Sequence, residues 1–395
     1  MFKLGIRVFD DKLRGLPEHS SVLFISSPGI DPAPFAISTV CNVARDQGKA
    51  IYVVNNKPPD SVRREGDILG FDLPRLEEAG RFAMVDSFSG FSGQPSSERF
   101  VVKDPSSVEQ VLETIEKAHP ERAVVILDSL SSFMDMHEDG LDDFLDLVAR
   151  LKTKANVMVL FSTWGYDPDC VKRVKAGFDA VLSLRPIEEA SIVRQFLFAE
   201  RIGADQYEKL AVPIKILRPG GVRVYFPKVL ITGPHRSGKS TMVRAMSTSA
   251  VSVDRMGTTV AMDYGYLDYK GFACDLYGTP GQELFDPILG ILAEEAVAVV
   301  LVINATDPRT FERARTMLLR TKARTMPLLV AANYSDGESA LPPGEIRRQL
   351  ELPDDVPVIP TVAIEKKGIS ELLDALIYKL MGVALAETRK EEGEQ

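Results

Sequence analysis

The run Gly233-Pro-His235-Arg236-Ser237-Gly238-Lys239-Ser240-Thr241 packs two glycines, a lysine and two adjacent hydroxyls into one short loop, the composition of a phosphate cradle. Its chemistry is the binding of a nucleoside triphosphate. Successive backbone N–H groups, through His235, Arg236 and Ser237, must converge on the phosphates, and Gly233 and Gly238 permit that by removing Cβ clashes. Lys239 supplies a point charge to the β- and γ-phosphates, and Ser240, with Thr241 beside it, offers a hydroxyl to Mg²⁺. A helix opening near Lys239 turns its positive end on the same anion. Such a loop works only between a strand and a helix. Lys228-Val-Leu-Ile-Thr232 reads as that strand and 239–248 as that helix, which disfavours a chance match in a surface turn.

The elements around the loop follow from pattern. Apolar β-branched runs alternate with helical periodicity twice along the chain, the mark of βα units around a mostly parallel sheet, so the fold class expected is α/β with two tandem modules. In the first half, strands are expected at 21–26, 50–54, 83–85, 123–127, 157–162 and 180–184, with antiparallel-looking runs near 192–199 and 214–216. Helices are expected at 35–47, 108–118 and 141–154. In the second half, strands are expected at 228–232, 260–267, 271–277, 296–304, 327–333 and 356–361, and helices at 239–248, 285–294, 310–324, 343–350 and 369–387. The turn Arg218-Pro-Gly-Gly and the breaker Phe226-Pro227 place a boundary, giving domains 1–227 and 228–387 and a charged, flexible tail 388–395.

Size and composition fit this division. A chain of 395 residues is too long for one ordinary core, and 45% hydrophobic with 26% charged residues is globular composition. A net charge of −9 argues against nucleic acid as a partner. No apolar run reaches membrane-spanning length and the N-terminus has no leader pattern, so a cytoplasmic protein is expected. Cys41, Cys170 and Cys274 are scattered, which speaks against a disulfide framework or a zinc site.

Beyond the phosphate loop come Thr258-Thr259-Val-Ala-Met-Asp263-Tyr-Gly, Asp275-Leu-Tyr-Gly278-Thr-Pro-Gly281-Gln282-Glu283, Val330-Ala-Ala-Asn333-Tyr-Ser-Asp336 and Thr361-Val-Ala363-Ile. In this order they resemble a small Ras-like GTPase over nearly the whole second half. The resemblance implies a site for GTP/GDP and Mg²⁺. In it Thr259 closes on the metal with Ser240, the Gly281 N–H meets the γ-phosphate, Gln282 orients the attacking water and Lys239 steadies the transferring phosphoryl group. It further implies that Asp336, in a motif opened by Asn333, accepts from guanine N1 and N2, and that the Ala363 N–H faces the guanine oxygen.

Two departures stand out. The family's acidic residue three before the switch II glycine, which helps hold Mg²⁺ through water, is Gly278 here; Asp275 lies off that place and points wrongly, and Asp263 is the substitute the sequence offers. The combination resembles a prokaryotic branch, the GTPases related to the bacterial gliding and polarity regulator and those of conservon clusters, where that acidic residue is commonly absent. The lysine of N-K-x-D is Tyr334, whose ring could pack on the purine. No arginine finger is evident, Arg236 and Arg255 being the nearest, so slow intrinsic turnover is expected.

The first half, from Gly5-Ile-Arg-Val-Phe-Asp10 to about Pro227, resembles the RecA-type ATPases of the circadian-clock KaiC group. Where those continue into a glycine-rich loop ending G-K-[ST], this chain has Ser26-Ser27-Pro28-Gly29-Ile30-Asp31-Pro32. The catalytic glutamates are replaced by Asn55-Asn56-Lys57 ahead of Pro58-Pro59, while the Walker B strand survives as Val124-Val-Ile-Leu-Asp128. With no lysine, fewer backbone donors and an added carboxylate, ATPase activity is expected to be lost, and Asp128 to serve as a strand-end hydrogen-bonding residue.

The function expected is a signalling switch that binds and slowly hydrolyses GTP, with the RecA-like domain as sensor, regulatory or partner-docking module. The resemblance implies a GTPase-activating or effector partner of roadblock or longin type, and a homo-oligomer through the RecA-like domain is a further expectation. The loops 135–139 and 87–99 are candidate contacts, although each reads first as an ordinary solvated loop. A non-catalytic adaptor with permanently bound nucleotide is the alternative, separable by nucleotide exchange. An ATP-driven motor is a third, which ATPase activity of the first half would revive.

Overall fold

Runs such as Val124-Val-Ile-Leu127 are too short for a helix and apolar throughout, so they fold as strands buried on both faces of a parallel sheet. The structure, a computed structural model, describes every residue except Met1, Gly15, 136–139, 190–191, Ala204, 253–262, 284–285, 294–295, Lys322 and 392–395. It divides into two compact units, Met1–Val224 and Tyr225–Gln395.

In the first unit the sheet runs Phe100–Val101, Phe82–Asp86, Ala50–Val54, Val124–Asp128, Asn156–Ser162, Ser21–Ser26 and Ala180–Glu189, all parallel. Ile192–Ile202 and Asp205–Leu217 then add as antiparallel strands. The first strand in sequence sits between two late ones, so the strand order reverses there. In open α/β sheets ligand crevices form beyond the carboxyl ends of strands at such a point. Helix Ala33–Arg45 lies buried along most of its length, with Phe35 against Phe24 at 4.8 Å between ring centroids. Its N-terminal Ala33 N–H is capped at 2.9 Å by the Asp31 carboxylate.

In the second unit Val229–Thr232, Ala298–Asn304, Leu328–Asn333 and Val358–Thr361 run parallel. Phe272–Gly278, Asp263–Tyr269 and Ser249–Ser252 extend the sheet on the other side. The core is aliphatic, Val299, Leu301, Ile303 and Val330 facing Phe311 and Leu318 of helix Phe311–Arg320.

Three differences from the sequence reading have physical causes. Phe226-Pro227 does not break the chain: one strand runs Gly221–Thr232. Its ladder to Asp205–Leu217 covers 221–224 and that to Ala298–Asn304 covers 229–232, so Pro227, which has no N–H to donate, falls between them. The four residues Ser249–Ser252 form a strand that their polar sequence conceals. The expected tail at 388–395 begins helical, since Ile369–Glu391 is one helix and Arg389, Lys390 and Glu391 are good helix formers.

Candidate nucleotide site

The strand Gly221–Thr232 delivers the chain to Gly233, whose φ is 149°. A Cβ there would stand 2.0 Å from the Val302 carbonyl oxygen, so only glycine lets the loop pass. Helix Lys239–Met246 opens with Gly238 as its N-cap at φ 91°. Lys239 folds back over the loop, where its buried Nζ donates to the Pro234 carbonyl at 2.7 Å. Burial lowers its pKa to about 8, an effect the Asp263 carboxylate opposes. The Ser237 and Thr361 hydroxyls are buried without a hydrogen-bond partner, a condition that marks places where a ligand or water completes the bonding. His235, Arg236 and Ser240 are exposed, and Thr241 is half-buried.

Asn333 joins three loops. Its Nδ2 donates to the Ser237 carbonyl at 3.1 Å, and its Oδ1 accepts from the Ala363 N–H at 3.0 Å. The 333–336 loop is also tied to Thr361, whose carbonyl accepts from the Ser335 N–H and hydroxyl. Asp336, three residues beyond Asn333, is exposed.

Around the second switch, Gly281 lies against the phosphate loop. A Cβ on it would meet Lys239 Nζ at 2.6 Å and the His235 nitrogen at 2.7 Å. Gln282 is exposed beside it. Asp263 pairs with Gly278 across adjacent antiparallel strands, and its Oδ2 is 3.3 Å from where a Cβ on Gly278 would sit. Asp275 faces elsewhere: its carboxylate accepts from the Tyr225 hydroxyl at 2.7 Å and the Tyr264 hydroxyl at 2.8 Å. Thr258, Thr259 and Arg255 lie outside the described residues.

The oxygen donors available, the Ser240 hydroxyl and the Asp263 carboxylate, are hard ligands of the kind Mg²⁺ takes. Among the described residues no three His, Cys, Asp or Glu side chains cluster as a protein-only metal site.

In the first unit the acidic end of the Walker B strand is engaged by the chain's own side chains. The parallel register sets Val54 beside Asp128, so the residues after Val54 fall on the end of the Walker B strand. Asp128 is buried; it accepts from the Tyr52 hydroxyl at 2.6 Å and from Asn56 Nδ2 at 2.8 Å, and pairs with Lys57 Nζ at 3.2 Å. The Asn55 side-chain amide donates through Nδ2 to the Ser129 carbonyl and accepts through Oδ1 from the Ser129 N–H. Tyr52 escaped the sequence reading. Its one signal is a phenol in the middle of the otherwise aliphatic strand Ala50–Val54.

Residues 2–229 match the ATPase family described as KaiC, and residues 223–380 match Arf, the ADP-ribosylation factor family. A UPF0273 protein of Thermotoga maritima is 30% identical over 134 residues, 33% of this chain and 55% of that protein. A UPF0273 protein of Pyrococcus furiosus is 31% identical over 118 residues, covering 29% and 48%. The chain thus spans about half the length of these curated relatives. Translation initiation factor IF-2 of Dehalococcoides mccartyi is 31% identical over 163 residues, 38% of this chain and 27% of the factor. The crystal structure of a KaiC-like protein of Pyrococcus horikoshii is 17% identical, with a TM-score of 0.44 over 56% of this chain and 97% of that one. The chain belongs to the KaiC family through its N-terminal domain and continues into an Arf-family GTPase domain, the tandem of α/β P-loop domains that its motifs imply.

Proposed function

We propose that the chain is a GTP-binding switch whose C-terminal domain binds GTP and hydrolyses it slowly to GDP and phosphate. The observation that most supports this is the amide of Asn333, which bonds the phosphate loop through Ser237 and the base-side loop through Ala363 at once. In this reading the loop 233–241 holds the phosphates, and Lys239 exchanges its bond to the Pro234 carbonyl for one to phosphate. Gly281 brings its N–H to the γ-phosphate and Gln282 orients water. Asp336 reads guanine, and the Ala363 N–H, which donates to Asn333 Oδ1 in the nucleotide-free chain, would exchange that bond for one to the guanine oxygen. Ser240 and Asp263 would hold Mg²⁺, with Thr259, and the ion would neutralise charge developing on the phosphate oxygens.

The KaiC-like domain acts in this reading as a regulatory or partner-docking module without ATPase activity. Lys57 already neutralises Asp128, and Asp31 occupies a helix N-terminus that would otherwise face phosphate. A GTPase-activating or effector protein is the partner class proposed.

The test is titration of the purified chain with GTP, GDP and ATP in Mg²⁺, followed by phosphate release from wild type and Gln282→Leu. Tight guanine-nucleotide binding with slow, Gln282-dependent release is expected. Tight binding without turnover would replace the switch by an adaptor with structural nucleotide, and a preference for ATP would overturn the assignment of Asp336.

A further inference from the structure

We propose that Asp286, held by Arg313 and Arg320, is an autoinhibitory latch that keeps the second switch shut over the phosphate loop and makes the empty chain favour GDP over GTP. This rests on the nucleotide-site reading above and assigns the choice between the two nucleotides to residues outside that site.

Helix Phe311–Arg320 buries Phe311, Ala314 and Leu318 in the core, which leaves Arg313 and Arg320, seven residues and two turns apart, on one stripe of its flank. Both reach Asp286, the first residue of helix Asp286–Ala293. Arg313 donates to it through both terminal nitrogens, Nη1 to Oδ2 at 3.0 Å and Nη2 to Oδ1, the two-pronged geometry that makes an arginine–carboxylate pair strong. Arg320 Nε adds a contact at 3.2 Å. The side chains of Arg313 and Asp286 are 16% and 14% exposed, so water and salt weaken the pair less than they weaken an ion pair at the surface. Hydrogen bonding by Arg313 holds the Asp286 carboxyl below the usual carboxylate value.

Asp286 fixes one end of the second switch, and Thr279 fixes the other. The Thr279 N–H donates to the Ile231 carbonyl at 2.9 Å and its hydroxyl to that of Thr232 at 2.9 Å, both on the strand that leads into the phosphate loop. Gly281 lies between these anchors and is pressed onto the loop, where a methyl group on it would stand 2.6 Å from Lys239 Nζ. The site reading puts an oxygen of the terminal phosphate between Lys239 and the Gly281 N–H. GTP must therefore lift this segment, against the ion pairs on Asp286, and GDP need not.

Two observations make this a latch that a triphosphate can open. Arg313 Nε is buried without a hydrogen-bond partner among the described residues, so the guanidinium is only partly satisfied where it sits. Its charge also reaches Lys239, whose pKa, lowered mainly by burial, it lowers further. A phosphate bound at Lys239 accordingly competes with Asp286 for Arg313.

The experiment measures dissociation constants of GDP and of a non-hydrolysable GTP analogue, in Mg²⁺, for the full chain as wild type, Asp286→Asn, Arg313→Gln and the double variant. Apparent affinity scales with the fraction of molecules in the competent state, so opening the latch should tighten the triphosphate by about tenfold and leave GDP within about twofold of wild type. The double variant should gain no more than either single one, since each breaks the same pair. Arg313→Gln removes the pair from the other side, so a folding defect in Asp286→Asn, read from its melting curve, does not decide the result. An unchanged ratio of the two constants, a ratio moved toward GDP, or additive gains in the double variant would overturn the latch and leave the site standing. A wild-type chain that binds neither nucleotide overturns the site reading and the latch with it.

Discussion

Asp263 stands directly across the strand pair from Gly278, and its carboxylate fills the space that a side chain at 278 would need. A Cβ on Gly278 would come within 2.9 Å of the Asp263 Cβ. Gly278→Asp alone therefore crowds two carboxylates and should destabilise the domain by about 1–3 kcal/mol. Combined with Asp263→Ala, the new carboxylate has room and most of the loss should be recovered. Urea unfolding of the two single variants and the double variant measures the coupling, and strict additivity would show that the two side chains do not compete for one space.

The lowered pKa of Lys239 makes binding draw protons. Its ammonium titrates at about 8 in the empty protein against an ordinary 10.5, so between those values the unfolded chain holds more protons and the empty domain gains stability as pH rises. A bound triphosphate would return the lysine to its charged form. Calorimetric titration of GTP at pH 8 in buffers of differing ionisation enthalpy should reveal proton uptake that fades by pH 6. Buffer-independent enthalpy at pH 8 would mean that Lys239 does not change its protonation on binding.

Gly281→Ala should damage the site from the switch side. Its added methyl would stand 2.8 Å from the Pro234 carbonyl carbon and closer still to the His235 nitrogen, backbone atoms that cannot swing away. Overpacking of this kind costs about 1–3 kcal/mol. A lower melting temperature of the nucleotide-free protein is expected, together with weaker GTP binding; a variant with the wild-type melting curve would show that the loop has more room than the contact distances indicate.

Lys57→Ala tests the ion pair on Asp128. It leaves the buried Asp128 carboxylate with hydrogen bonds from Tyr52 and Asn56 but no cation, at a cost of about 1–3 kcal/mol. Adding Asp128→Asn removes the charge that needed the lysine, so the double variant should lose less than the sum of the singles. Equal losses, site by site, would make Lys57 a bystander.

Asp336→Asn should move base choice from guanine toward xanthine. The carboxylate only accepts hydrogen bonds, whereas an amide can donate to the C2 carbonyl of xanthine. Competition of XDP against GDP reads the change directly, and an unaltered preference for GDP would remove Asp336 from base recognition.

The tandem of α/β domains was legible because unbroken aliphatic runs such as Val124–Leu127 and the glycine loop at 233–238 are local signals. The neighbours that decide the sites were not. Lys57 meets Asp128 only because two parallel strands register Val54 with Asp128, and Asp263 meets Gly278 only through an antiparallel register. Ser237 and Asn333 are 96 residues apart in sequence. Even Pro227, a breaker by local rules, is accommodated because its neighbours pair on either side of it.

The two bonds of Asn333 also limit what genetics can say about this protein. One amide braces both the 233–241 loop and the loop at Ala363, so truncating it to alanine loosens the two together. For the switch proposed above, an Asn333→Ala allele should therefore behave as a null for nucleotide binding as a whole, and its phenotype in cells should match that of deleting the domain, without the dominant interference expected of a chain locked in one nucleotide state.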